Sequence, residues 1–179
     1  PQSLRTGGSS LWGDIAATFR SRNFRLVVIL ETVLGGMGGI IATLLMVTYT
    51  YFWQLETAEI SFLFAGPPLL AVLLVTTSSR FINKRLEKQQ LLSLSCIGGA
   101  LNLLWLTPLA LLDLLPQNHT LVLALVSLNW TIHITFVIIR SVSAFSLLAD
   151  IADEQDLSTG RRQEGVMFAA AFFAAKFIS

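Results

Sequence analysis

Four runs of predominantly apolar residues, 25–53, 60–82, 91–113 and 120–149, constrain this chain more than any other feature. A hydrocarbon core about 30 Å thick is crossed by about 20 helical residues, and each run is at least that long. Lipid offers backbone N–H and C=O groups no outside partner, so runs of this length fold as helices. A fifth run, 165–179, begins in the same way. Composition agrees: 54% of the 179 residues are apolar and 13% are charged, against about 25% charged in a soluble domain. The sequence therefore predicts an all-α polytopic membrane protein, with four complete transmembrane helices and the start of a fifth.

The segments between the runs set the expected orientation. Arg20, Arg22 and Arg25 precede the first run, Arg80, Lys84, Arg85 and Lys88 join the second to the third, and Arg161 and Arg162 follow the fourth. The opposite loops, 54–59 and 113–120, contain no Lys or Arg. The positive-inside rule puts the basic loops in the cytoplasm, and it explains them without nucleic acid. Residues 1–24 are expected to be a cytoplasmic segment. Its polar Gly/Ser start resembles a linker, and Leu11, Trp12, Ile15, Ala16 and Phe19 fit a short amphipathic helix over 9–20. No secretory signal is visible there, and the single cysteine, Cys96, excludes an internal disulfide. A chain that opens on Pro1 and stops at Ser179 inside an apolar run is expected to be a piece of a longer polypeptide.

Glycines and prolines interrupt the runs at Gly35-Gly36-Met37-Gly38-Gly39, Gly66-Pro67-Pro68 and Pro108. Two uses are open for them. Small residues let helices pack closely, and breakers let a helix bend around a cavity.

Polar side chains inside the runs carry the chemistry. At about 100° per residue, Asn129, His133, Arg140 and Ser143 share one stripe of the fourth helix, which continues to Asp150 and Glu154. Arg140 lies ten residues before Asp150, or about 15 Å along the axis and near the midplane. Such an arginine must face protein or water: either an ion pair, for instance with Glu31, or a solute. Lys176, twelve residues after Glu164, lies about 18 Å into the fifth helix. A central lysine costs about 2.5–3.5 kcal/mol on insertion scales. Secondary transporters place solute and ion sites at this depth.

Asp150, Asp153, Glu154 and Asp156 gather where the fourth helix ends, at the negative pole of its dipole. Arg161 and Arg162 can answer only part of that charge, and Glu164 adds to it. Basic partners beyond this chain are expected, forming an ionic gate with Asp150, Asp153, Asp156, Arg162 and Glu164. No metal-ligand spacing, nucleophile with its base or phosphate loop is present. The expectation is a non-enzymatic protein without a bound cofactor.

The run Ala149-Asp150-Ile-Ala-Asp153, followed by Thr159-Gly160-Arg-Arg162-Gln-Glu164-Gly165, resembles the loop between helices ten and eleven of the glycoside–pentoside–hexuronide:cation symporters. These belong to the major facilitator superfamily. Arg80-Phe-Ile-Asn-Lys84-Arg85 is similar to their basic loop between helices eight and nine. The resemblance is close over 149–176 and loose elsewhere. It implies that the runs are helices seven to ten with part of eleven, and that 1–24 comes from the central loop. Asp150, Asp153, Arg162 and Glu164 fall on the family's charged cytoplasmic positions, with Asp156 where Glu is usual. Lys176 falls on an intramembrane lysine near the sugar and cation region. One sugar-transporting member has tryptophan nine residues before the first Asp, where this chain has Ser141, and Arg140 has no counterpart.

The reading that follows is the second half of a secondary active transporter in the cell inner membrane. It would couple sodium or protons to import of a sugar-like solute, a glycoside or a hexuronide, by alternating access. Lys176, Arg140, His133 and Asn129 would line the cavity. The coupling cation would bind mainly in an N-terminal half of the same polypeptide, and the other partners would be the solute and the bilayer. Alternatives are a major-facilitator carrier of a lysolipid or an exported compound, and a non-transporting scaffold.

Overall fold

The computed structural model describes residues 19, 22–82, 86–159 and 164–178. Among these residues all regular structure is helical: α1 (Arg22–Val47), α2 (Thr57–Ile82), α3 (Lys88–Leu111), α4 (His119–Thr159) and α5 (Glu164–Ile178), with a π-helical turn at Thr48–Phe52. Four stretches, Arg22–Phe52, Thr57–Ser79, Lys88–Leu111 and His119–Glu154, are long and apolar enough to cross a membrane. Between 6% and 22% of each apolar window is buried, so most of that surface is left for lipid or for partner helices. The amphipathic helix expected over 9–20, the loop arginines Arg161 and Arg162, and the side chains of Asp156 and Glu164 lie outside what is described.

α1 passes through Gly35, Gly36, Gly38 and Gly39 without a break. Each glycine costs a water-exposed helix about 1 kcal/mol, but lipid gives the backbone no other hydrogen-bonding choice. A Cβ at Gly38 would meet nothing within 4 Å among the described residues. The irregularity comes about two and a half turns further on, at Thr48–Phe52. Trp53 N–H donates to the Thr48 carbonyl at 3.0 Å, and Leu55 N–H to the Tyr49 carbonyl at 3.0 Å. Gln54 closes this exit with a φ of 53°, the left-handed conformation that caps helix C-termini.

α2 carries Pro67 and Pro68 inside it, and α3 carries Pro108. Hydroxyls along these helices bond back one turn, as Thr76 does to Val72 at 2.9 Å and Thr77 to Leu73 at 2.7 Å. Asp113, with φ 53°, ends α3 as Gln54 ends the π turn. Asn118 caps α4: its side-chain oxygen accepts from Thr120 N–H at 2.9 Å.

α4 runs ten residues past the expected end of its span, through the acidic cluster to Thr159. Its 41 residues measure about 60 Å, twice the hydrocarbon thickness, so it extends beyond the membrane. The extension holds because it keeps an apolar face. Leu148, Ile151 and Ala152, spaced i, i+3, i+4, are buried against Phe24, Val28, Met167 and Ala171. Asp150, Asp153 and Glu154 occupy the opposite, exposed face.

The chain divides into two compact units. One comprises α1 up to Leu44, the end of α4 from Leu148 and α5, around the core just given. The other is Leu45–Leu147, with a core of Tyr49, Leu55, Leu63, Leu106 and Val126.

Candidate functional site

Within Leu45–Leu147, α3 and α4 meet through a reciprocal pair of amides. Asn102 Nδ2 donates to the Asn129 carbonyl at 3.0 Å, and Asn129 Nδ2 to the Asn102 carbonyl at 2.9 Å. Trp105 Nε1 completes the set by donating to Asn102 Oδ1 at 3.1 Å. Polar groups in lipid find partners across helices, and these do so with an antiparallel register that also brings Leu106 and Val126 into one cluster. The close approach continues at Gly98, where a Cβ would lie 2.6 Å from the Phe136 ring. Asn129 thus uses its side-chain donor to join two helices.

One turn along α4 from this clamp, aromatic rings gather. The Trp130 indole and the His133 imidazole stack with centroids 5.3 Å apart and planes 16° from parallel. Tyr49, within the π turn and only 4% exposed, meets Trp130 edge-on at 6.3 Å and 89°. Tyr49 also meets Phe64 of α2 at 6.4 Å. A π turn shifts the register of every later side chain and is frequent where function needs an inward-facing group.

Two nitrogens of this group are buried without a hydrogen-bond partner among the described residues: Trp130 Nε1 and His133 Nδ1. Leaving a buried polar atom unsatisfied costs about 1–3 kcal/mol. Hydroxyls nearby do not share this state. Ser127, Thr131 and Thr135 each bond back to a carbonyl four residues earlier, at 2.7–2.8 Å.

The remaining residues of the stripe are placed as follows. His133 and Arg140 are half-buried, and Ser143 is 5% exposed. Arg140 and Glu31 are each engaged in an interaction, and they belong to different compact units. Lys176 lies in the last turn of α5, with an exposed side chain that is likewise engaged. Asp150, Asp153 and Glu154 are exposed on the α4 extension. At the other end of α4, His119 Nε2 contacts Glu59 Oε1 of α2 at 2.8 Å, while Glu59 Oε2 accepts from Glu56 N–H at 2.9 Å.

Trp130, Tyr49 and Asn102 escaped the sequence reading. Trp130 and Tyr49 pass for ordinary apolar residues of a span. Asn102 did carry a signal, because an amide in the middle of an apolar run requires a partner.

A family model described as MFS/sugar transport protein matches residues 2–179. No curated protein and no solved structure matches.

Proposed function

The chain belongs to the MFS/sugar transport protein family of major-facilitator transporters, and from that premise we propose that it moves a sugar-like solute, a glycoside or hexuronide, by cation-coupled alternating access. The observation that carries this reading is the polar stripe of α4, Asn129, His133, Arg140 and Ser143, in a helix otherwise apolar enough to cross a membrane. Charge at that depth is expensive and marks solute or ion pathways. The family match over nearly the whole chain supplies the transporter context.

In this reading Lys176, Arg140 and His133 face the solute pathway at the midplane, and Asn129 braces the α3–α4 pair behind it. The exposed acids Asp150, Asp153 and Glu154, with Asp156, Arg162 and Glu164, form a cytoplasmic gate that closes on basic groups elsewhere in the protein. The basic loops lie in the cytoplasm, as the positive-inside rule requires. Sodium or protons supply the driving force, and a carrier that switches between outward- and inward-open states only when empty or when holding both cation and solute converts it into accumulation. The subgroup this mechanism fits is the glycoside–pentoside–hexuronide:cation symporters, on the residues 149–176 quoted above. A non-transporting scaffold needs no charge at midplane depth, so Arg140 and Lys176 count against it.

The test is uptake by the full-length protein in proteoliposomes, offered labelled methyl β-glucoside, methyl β-glucuronide and a lysolipid with and without an inward sodium or proton gradient. Gradient-driven uptake of a glycoside or glucuronide is the expected result. Uptake of the lysolipid alone, or of nothing under either gradient, contradicts it.

A further inference from the structure

One carboxylate joins the starts of two helices in the Leu45–Leu147 unit. Glu59, in the first turn of α2, accepts from Glu56 N–H at Oε2 over 2.9 Å and so ties off its own helix start. Its other oxygen, Oε1, meets His119 Nε2, at the start of α4, at 2.8 Å. The Glu59 and His119 side chains are 20% and 55% exposed, so solvent protons reach the pair. The junction is packed as well as bonded: Leu55, just before α2, is buried, and Leu115 and Val122, on either side of His119, pack against the same cluster. No Lys or Arg occurs between Arg25 and Arg80 or between Lys88 and Arg140. The other titratable side chains at this end of the unit are Glu56, Asp113 and Tyr51, all exposed, and the buried Tyr49. The His119 imidazole is therefore the one group described there that can become a cation, and carboxylates are its company.

We propose that Glu59 and His119 form a proton-sensitive latch between α2 and α4, tighter when the imidazole is protonated and looser when it is neutral. An ionised carboxylate only accepts, so Nε2 carries its hydrogen in both states. What the proton on Nδ1 adds is charge: it turns a hydrogen bond from a neutral ring into a charge-assisted one. Histidine is the side chain that changes charge between pH 5 and 8, a range over which carboxylates ordinarily stay ionised. The positive pole of α4 opposes that charge, because His119 is the first residue of the helix. Glu59 answers it at contact distance. Acid therefore strengthens the junction and alkali weakens it. The pair stands at the helix ends opposite the α2–α3 connection, so it responds to protons on the side away from the basic loop. The latch rests on this contact and not on the transported solute, so it stands or falls apart from the transport reading.

A double-mutant cycle of Glu59→Gln and His119→Gln tests it, by denaturation of the full-length protein in mild detergent at pH 5.5 and at pH 8. At pH 5.5 the two residues should couple by about two- to fivefold in the unfolding equilibrium, the weight of a partly exposed ion pair. At pH 8 the coupling should fall towards one. At pH 5.5 His119→Gln should destabilise the wild type, yet be neutral or stabilising in the Glu59→Gln background, where the cation at the positive pole of α4 has lost its partner. Equal coupling at both pH values would make the contact an ordinary hydrogen bond, and no coupling at either would make it incidental; both results overturn the latch. Hydrogen exchange in the first turns of α2 and α4 gives a second readout that needs no double variant. Corrected for intrinsic rates, wild type should open there about two- to fivefold more often at pH 8 than at pH 5.5, and His119→Gln equally at both. Equal opening of wild type at the two pH values contradicts the proposal.

Discussion

Asn102 shows what one amide does in a helix that has no water to turn to. Its side chain donates to Asn129 and accepts from Trp105, and it is 6% exposed. Interhelical hydrogen bonds in membranes contribute about 0.6 kcal/mol on average and at most about 1.7. Asn102→Ala removes both side-chain bonds and orphans the Trp105 Nε1 donor, so denaturation of the full-length protein in mild detergent should show a loss of about 1–2 kcal/mol. A double-mutant cycle with Trp105→Phe should recover part of that loss, because the orphan disappears; strict additivity would contradict the shared bond. The polar stripe of α4 was legible from residue spacing, because lipid forces a helix and a helix forces the angles. Partners across helices were not legible. Whether Asn129 faces a solute or Asn102 depends on packing that spacing does not contain.

At the scale of elements, glycines of the same type have opposite meanings. Gly98 lies under the Phe136 ring, where a Cβ would come within 2.6 Å, while Gly38 faces open space. Gly98→Ala should destabilise by about 1–3 kcal/mol through overpacking, and Gly38→Ala should be neutral or stabilising by up to about 1 kcal/mol. Thermal denaturation of the two variants checks this, and equal effects would contradict the α3–α4 geometry. Gln54, left-handed at φ 53°, is a third site. Gln54→Gly should stabilise by about 1 kcal/mol because glycine adopts that conformation without the Cβ clash; a loss of stability in the same assay would mean the side chain contributes more than its backbone costs. The existence of the helices was plain from the apolar runs. The π turn and the ten extra residues of α4 were hidden. A π turn leaves no composition signal, and the acidic cluster masked the apolar spacing of Leu148, Ile151 and Ala152 that carries the helix onward.

For the whole molecule, the distribution of charge governs the account. Acids on the α4 extension face away from its buried side. If they gate the cytoplasmic side, Asp153→Asn in the full-length protein should loosen closure. Cysteines placed in the cavity should then be labelled from the cytoplasm several-fold faster, and unchanged labelling with unchanged uptake would end the gate reading. Family membership covers residues 2–179, and the proposed cation coupling draws its support from the charged residues inside the apolar helices. The direct test is solute accumulation against solute exchange in proteoliposomes of wild type and Lys176→Ala. Gradient-driven accumulation lost by at least about tenfold, with exchange retained in part, is what a central coupling and solute-organising lysine predicts. Accumulation at the wild-type level in Lys176→Ala would show that the charge in α5 is structural, and it would contradict the mechanism proposed here.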